Sequence, residues 1–402
     1  MRIMILTDSP KTNSGYATVV KNLPPELVKR GYNIAITGMQ DAYRIESYKD
    51  IPIYPIMSNF HEANNIQAQM HRLMMNIQHH KSDVLMCHFQ GDSMYNPFTQ
   101  VFPKVIWYIP IEGEIVYRNH PLIRDAKKVK QIVAQTKAGQ RELAKKGVKS
   151  ECIYHGYDPM IFKKGWDHEL EEEVIVYYPV KKSEIRLSIH DIPKIKEMVG
   201  AEFVVGFVGQ NFGVRKRIER LVEAFSIFAE GKKDVLLHLH CMPAHMRGVN
   251  LFEFIEYYDI ADKVIFSYGD FISSGWSDAA LNVLYNSFDV FASATSAEGF
   301  GLSHLEIMPA GVPQVVPNFA PMDEFCGNDE RGLRANGMKQ LASSGSGELR
   351  FLVDTKDLAA KMQILYDDKA LRQKMGKNAQ EWVKSYTWPK IALKFDKVFK
   401  GM

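Results

Sequence analysis

Ala297-Glu298-Gly299-Phe300-Gly301-Leu302-Ser303-His304-Leu305-Glu306 follows a short apolar run, Phe288 to Ala292, and leads into a helix-like segment that ends near Gly311. The run reads as a buried strand, so the stretch is a strand–glycine turn–helix with a carboxylate at each end. Gly299 and Gly301 remove two side chains from the path of an approaching ligand. The backbone N–H groups of Phe300, Gly301 and Leu302 then fall where a helix N-terminus offers unpaired donors to oxyanions and hydroxyl oxygens. Glu306 lies one turn further on, within reach of the same ligand. Such an arrangement suits a sugar nucleotide. A plain glycine-rich turn with two solvated glutamates is the alternative, and the rest of the chain has to decide between them.

The chain has 402 residues, enough for two α/β domains with separate cores. Hydrophobic residues make up 46% and charged residues 24%, and the net charge is +3, so nothing marks it as disordered or as an obligate nucleic-acid binder. Cys87, Cys152, Cys241 and Cys326 are scattered without a Cys-x-x-Cys pair, which gives no sign of a disulfide framework or a zinc site. A reducing, cytoplasmic setting is the expectation. Met1–Leu6 reads as a first strand rather than a leader, and no apolar stretch approaches the roughly 20 residues of a membrane helix.

Short apolar runs at Ile3–Leu6, Asn33–Thr37, Val84–Cys87, Val105–Ile109 and Gln131–Ala134 alternate with amphipathic stretches at Ala17–Arg30, Ala63–His79 and Lys137–Lys146. Strands separated by helices predict a parallel sheet covered on both faces, with ligands beyond the carboxyl ends of its strands. Gly15, after the first strand, could admit a phosphate or be an ordinary turn glycine. Glu112 and Glu114 follow the Val105–Ile109 strand, where an acid or base could stand; a solvated carboxylate pair is the plainer reading. Between Lys127 and Lys149 lie eight cations against one acid, Glu142. This is solvated helix surface, or else a patch facing an anionic acceptor or a membrane surface. The segment from Asp167 to Gly200 reads as a connector.

A second series starts with Phe203–Val208. It ends in Gly209-Gln210-Asn211-Phe212-Gly213-Val214-Arg215-Lys216-Arg217, ahead of an amphipathic helix. Three cations at a helix N-terminus oppose the macrodipole, so something should compensate for them, and a pyrophosphate would; an ordinary charged first turn is the plainer alternative. His238 and His240 share a strand face without a further ligand nearby, which suits core histidines better than a metal site. Val264–Ser267 is the next strand, with Tyr268-Gly269-Asp270-Phe271 as its exit loop. Gly327–Gly347 reads as a surface loop, and three terminal helices follow.

With these residues in place the chain resembles the GT-B glycosyltransferases of the large retaining family four (glycosyl transferases group 1). The resemblance is carried by Ser14-Gly15-Tyr16, His155-Gly156-Tyr157-Asp158 with Phe162, and Gly209 with Arg215-Lys216. It continues in Glu298-Gly299-Phe300-Gly301-Leu302 with Glu306, in Ala310-Gly311-Val312-Pro313, and in Tyr386-Thr387-Trp388. It implies two Rossmann-like, doubly wound α/β domains facing across a cleft. The implied domains are 1–195 for the acceptor and 196–385 for the donor, with 386–402 packing back onto the first. It implies a nucleoside-diphosphate sugar as donor, no cofactor and no required metal. Arg215 and Lys216 would hold the diphosphate with Gly15, Glu298 and the amides of Phe300, Gly301 and Leu302 would bind the sugar, and Glu306 the ribose. Asn211, Tyr268 and Gly269 would line the nucleotide. Three features depart from the family pattern. Gln210-Asn211 stand where an arginine is common, the loop after Val105–Ile109 has Glu112 and Glu114 but no histidine, and Pro309 should shorten or kink the helix after Gly301. The acceptor is open: a glycan or lipid-linked glycan by default, modified nucleic acid as a further possibility. A sugar-nucleotide epimerase or a silent nucleotide-sugar binder would share the same residues.

Overall fold

The computed structural model describes residues 1–42, 44–57, 62, 65–90, 96–117, 120–211, 215–269, 275–342 and 347–402, without the side chains of 40–42. The chain divides into two compact units. The first holds Met1–Gly156, Leu341–Leu349 and Tyr386–Met402; the second holds Tyr157–Gln340 and Arg350–Ser385.

In the first unit the chain runs β1 (Arg2–Asp8), α1 (Gly15–Val28), β2 (Asn33–Ala42), β3 (Glu46–Tyr48), β4 (Ile51–Met57), α2 (Ile66–His80), β5 (Val84–Cys87), β6 (Val105–Ile109), β7 (Glu114–Ile115), α3 (Pro121–Ala126), β8 (Gln131–Ala134), α4 (Lys137–Lys145) and β9 (Glu151–Cys152). Its eight-stranded sheet has the order β3-β4-β2-β1-β5-β6-β8-β9. All neighbours are parallel except the β3/β4 pair. The strands β5 and β6 are buried at every position, as a sheet covered on both faces requires. One face packs Trp107, Phe98 and Leu73; the other packs Val20, Leu23 and Tyr108.

The second unit contains β10 (Glu173–Tyr178), β11 (Ser183–Ser188), α5 (Ile195–Met198), β12 (Phe203–Val208), α6 (Ile218–Ala229), β13 (Val235–His240), α7 (Leu251–Tyr257), β14 (Val264–Tyr268), α8 (Asp278–Asn286), β15 (Val290–Ala292), α9 (Leu302–Glu306), β16 (Gln314–Pro317), α10 (Met322–Cys326) and β17 (Gly332–Ala335). There follow β18 (Gly337–Leu341) and β19 (Glu348–Val353), of which Leu341, Glu348 and Leu349 count with the first unit, then α11 (Thr355–Asp367) and α12 (Lys369–Val383). Its sheet order is β11-β10-β14-β13-β12-β15-β16-β17. The parallel part, counted in its own chain order, reads 3-2-1-4-5-6, the doubly wound Rossmann arrangement. This is the GT-B fold. The final helix, α13 (Trp388–Lys400), belongs to the first unit, where it lies against α1. Gly156 makes that docking possible. A Cβ there would stand 2.7 Å from the Trp388 nitrogen.

Two segments correct the sequence reading. The stretch from Asp167 to Gly200 is more than a connector: β10 joins the second sheet antiparallel to β14, with Val174, Val176 and Tyr178 buried. Its alternating pattern is obscured by the acidic run Asp167–Glu173 that leads into it. Residues 157–195 accordingly sit in the second unit. Gly327–Gly347 is also not one loop. It supplies β17, paired in parallel with β16, and then β18; residues 343–346 lie outside the described part. In the first unit β3 and β4 extend the sheet beyond the strands read from sequence.

Candidate donor-binding site

A doubly wound sheet binds ligands where its strand order reverses, beyond the carboxyl ends of the two strands that flank the reversal. In the second unit those strands are β12 and β15. The loop after β12 carries Arg215 and Lys216; the turn after β15 carries Glu298 and the two glycines. The two loops are stitched together. Ser296 N and Oγ both donate to the carbonyl of Arg215, at 2.8 and 2.9 Å.

The chemistry converges on Glu298, which is 5% exposed. Its Oε1 accepts from Lys216 Nζ at 2.5 Å and its Oε2 from Arg215 Nη1 at 2.9 Å. Thr295 Oγ1 donates to Oε1 at 3.2 Å. Arg215 Nη1 is also bonded to the Ala297 carbonyl at 2.9 Å. Burial by itself would raise the Glu298 pKa, but Lys216 and Arg215 outweigh it and hold the carboxyl well below the usual carboxylate range. The compensation that three cations at a helix start demand is therefore internal. Glu298 takes two of them, and Glu219 in the first turn of α6 lies 3.5 Å from Arg217.

Gly301 has φ +102°, in the left-handed region, and caps α9, which is five residues long. A Cβ there would meet His304 and Met322 at 3.1 Å. After Ile307 the chain tightens into a 3₁₀ turn over Met308–Ala310 around Pro309. The helix is thus as short as that proline predicts. It is too short to lend much dipole, so any donor contact at the turn rests on single amides. Phe300 is buried against Phe325, with ring centroids 5.5 Å apart.

Glu306 is 8% exposed and accepts a hydrogen bond from Tyr285 Oη at 3.2 Å. Burial, reinforced by Asp278, pushes its pKa up to about 8, so it is largely protonated near neutrality. His304 between the two acids is buried, holds Gln314 Oε1 through Nδ1 at 2.6 Å, and has its pKa lowered to about 4 by burial. It is neutral at pH 7.

The other residues singled out from sequence are placed differently. Asn211 turns its side chain onto the main chain: Nδ2 donates to Met242 and Val249, and Oδ1 accepts from Val249 N. It is a scaffold for the loop after β13. Tyr268 ends β14 and donates to Glu184, with Gly269 following it; Asp270 and Phe271 lie outside the described residues, as do Phe212, Gly213 and Val214. Gly15 belongs to the first unit, where it opens α1 behind the N-cap Ser14, whose Oγ donates to Asp8. Glu112 and Glu114 are half-buried in the same unit, with Glu114 in β7 paired to Leu349 of β19.

Sequence reasoning passed over His88. The first sheet reverses order between β1 and β5, and His88 follows β5 directly, so it stands at that unit's own reversal point. It is 1% exposed, with Nδ1 3.3 Å from Thr7 Oγ1 and the Tyr16 ring edge-on at 4.9 Å. Its Nε2 is buried without a hydrogen-bond partner among the described residues. The available signal was a histidine directly after a four-residue apolar strand. Among the described residues no His, Cys, Asp or Glu cluster could hold a metal ion.

Residues 188–382 match the family described as glycosyl transferases group 1. Fold and family match agree: the chain has the GT-B fold, and its residues 188–382 are similar to the glycosyl transferases group 1 domain. It is similar in structure to sucrose-phosphate synthase from Thermosynechococcus elongatus, with a TM-score of 0.76 at 16% identity, covering 100% of this chain and 98% of that one. Anabaena HepE in complex with UDP-glucose matches with a TM-score of 0.70 at 15% identity, covering 100% of both chains. WaaG, a glycosyltransferase involved in lipopolysaccharide biosynthesis, matches with a TM-score of 0.66 at 13% identity, again covering 100% of both. No curated protein matches by sequence.

Proposed function

We propose that the protein is a retaining, metal-independent glycosyltransferase that moves a sugar from a nucleoside-diphosphate sugar to a hydroxyl of a glycan or lipid-linked glycan. The second unit binds the donor and the first the acceptor. The observation that carries this is the pairing of Arg215 and Lys216 with Glu298 at the reversal point of the second sheet. The carboxylate keeps both cations folded over the glycine turn before any ligand arrives, so their placement costs little when a diphosphate shares them. The sugar C1–O bond to the diphosphate breaks as a C1–O bond to the acceptor forms on the same face. The acceptor proton passes to a phosphate oxygen, and the nucleoside diphosphate leaves with its charge held by Arg215 and Lys216. Glu298 orients the sugar and the cations. Glu306, protonated, can donate to one ribose hydroxyl as well as accept from another.

The test is a thermal-shift series with UDP-, GDP-, ADP- and TDP-glucose, since a ligand of the folded state alone raises the melting temperature. UDP-glucose comes first, because a similar fold is known with it bound. One donor is expected to stabilise the protein and to be hydrolysed slowly, releasing sugar whose anomeric proton shows retention by NMR. Stabilisation by none of the four would sink the reading. An epimerised free donor would make the protein an epimerase, and binding without hydrolysis a silent binder.

A further inference from the structure

The first unit contains a cleft of about 270 Å³ that the donor chemistry does not use. Lys137, Gln140 and Arg141 from the first turns of α4, Cys152 and Tyr154 from β9 and its exit, and Tyr386 and Lys394 from the C-terminal segment line it. Three of the seven are cations and none is a carboxylate. Glu142, next along α4, is buried and bonded to Lys145 and to the Ile115 amide. The cleft lies at the carboxyl ends of β8 and β9, and α4 opens there under the N-cap Thr136. The helix start adds its positive end to the three side chains. These are separate elements, brought together by the docking of α13, and their convergence is what distinguishes the cleft from an ordinary basic helix face.

At roughly 30 Å³ per water the volume corresponds to about nine waters, more than a phosphate group fills. The remaining wall is hydrogen-bonding. The Tyr386 ring is stacked on Tyr154, with centroids 5.0 Å apart and planes 18° from parallel, and Lys394 Nζ stands 5.4 Å from its centre. Phosphate oxygens and hydroxyls suit a wall made of three cations, an amide and two tyrosine hydroxyls. We infer that this cleft binds a small phosphorylated carbohydrate, its phosphate between Lys137, Arg141 and Lys394 and its hydroxyls toward Gln140 and the tyrosines. It stands apart from the donor reading, since every one of its residues lies in the first unit.

Cys152 supplies the assay, because it is half-buried while Cys87, Cys241 and Cys326 are buried. Alkylation of the native full-length protein with iodoacetamide, followed by peptide mass spectrometry, reads the accessibility of the cleft. Glucose 6-phosphate at millimolar concentration is expected to slow Cys152 labelling several-fold, glucose to leave it unchanged, and UDP-glucose stabilisation to be the same with or without the sugar phosphate. In an Arg141→Gln, Lys394→Gln protein, both positions being exposed, protection should need at least tenfold more glucose 6-phosphate. Unslowed labelling, or equal protection in the variant, overturns the site. Equal protection by inorganic phosphate at the same concentration overturns the carbohydrate assignment. A protein that binds no nucleotide sugar yet shows this protection would refute the donor reading and leave the cleft intact.

Discussion

Replacing Glu298 with glutamine removes one negative charge and leaves two positive ones beside it. At an effective dielectric constant of about 20, each cation gains about 4 kcal/mol of gross attraction at a charge separation of about 4 Å. Desolvation of the buried carboxylate cancels much of that sum, so the measurable quantity is the penalty of a broken pair, about 3–5 kcal/mol. Arg215 and Lys216 keep 29% and 16% of their side-chain surface exposed, so water recovers part of the loss. The lower end, about 3 kcal/mol, is the expectation. For a unit of about 220 residues that is a fall of about 6–12 °C in melting temperature at pH 7. Scanning calorimetry of the full chain measures it. The sign with pH follows from the lowered pKa of Glu298. Its contribution is present above the unfolded-state value, near 4.5, and is lost as pH falls through the folded-state value. The gap between wild type and Glu298→Gln must therefore narrow in acid. A variant that melts within about 1 °C of wild type at pH 7 would refute the view that this carboxylate holds the two cations.

Glu306 titrates the other way: with its folded-state pKa raised to about 8, wild-type stability should fall as pH rises from about 4.5 to 8 and level off beyond. Glu306→Gln should flatten that slope in urea unfolding measured from pH 5 to 9. Lys216→Ala should weaken binding of the stabilising nucleotide sugar about tenfold or more by calorimetric titration, and unchanged affinity would count against its diphosphate role. Gly301→Ala forces a side chain into left-handed backbone and into His304 and Met322; it should cost about 1–2 kcal/mol or more in chemical denaturation. His88→Phe removes a buried ring nitrogen that has no partner among the described residues, together with the Nδ1 contact to Thr7, so stability should change little while the rate of transfer to acceptor drops. An unchanged rate would make His88 a core residue only.

The repeating order of apolar runs and amphipathic stretches made both parallel sheets readable, because a strand covered on two faces must be apolar throughout. Pro309 announced the short helix α9 for a similarly local reason. What escaped was set by contacts distant in sequence. The Glu298 pairs span 82 and 83 residues, and no spacing rule connects them to the cation run after β12. The strand β10 is held by Phe266, Ser267 and Tyr268, about 90 residues away, and its own short pattern was lost among acids. The family resemblance puts Asn211 along the nucleotide, but its side chain serves the main chain instead. Its use by Met242 and Val249 depends on a loop that only the fold brings near.

The place of α13 has a practical consequence for anyone dissecting the molecule. Tyr32 Oη donates to Asp396 at 2.8 Å, Arg30 Nη2 donates to the Pro389 carbonyl at 3.1 Å, and Phe395 packs edge-on against Tyr108 at 5.0 Å. A fragment truncated at Gly156 would uncover those apolar faces and should aggregate. Joining 1–156 directly to 386–402 by a short flexible tether restores them, so the first unit is best expressed as a spliced gene. The second unit, sequence-internal at both ends, can be excised at 157 and 385, with its 341–349 excursion kept or replaced by a glycine-serine bridge.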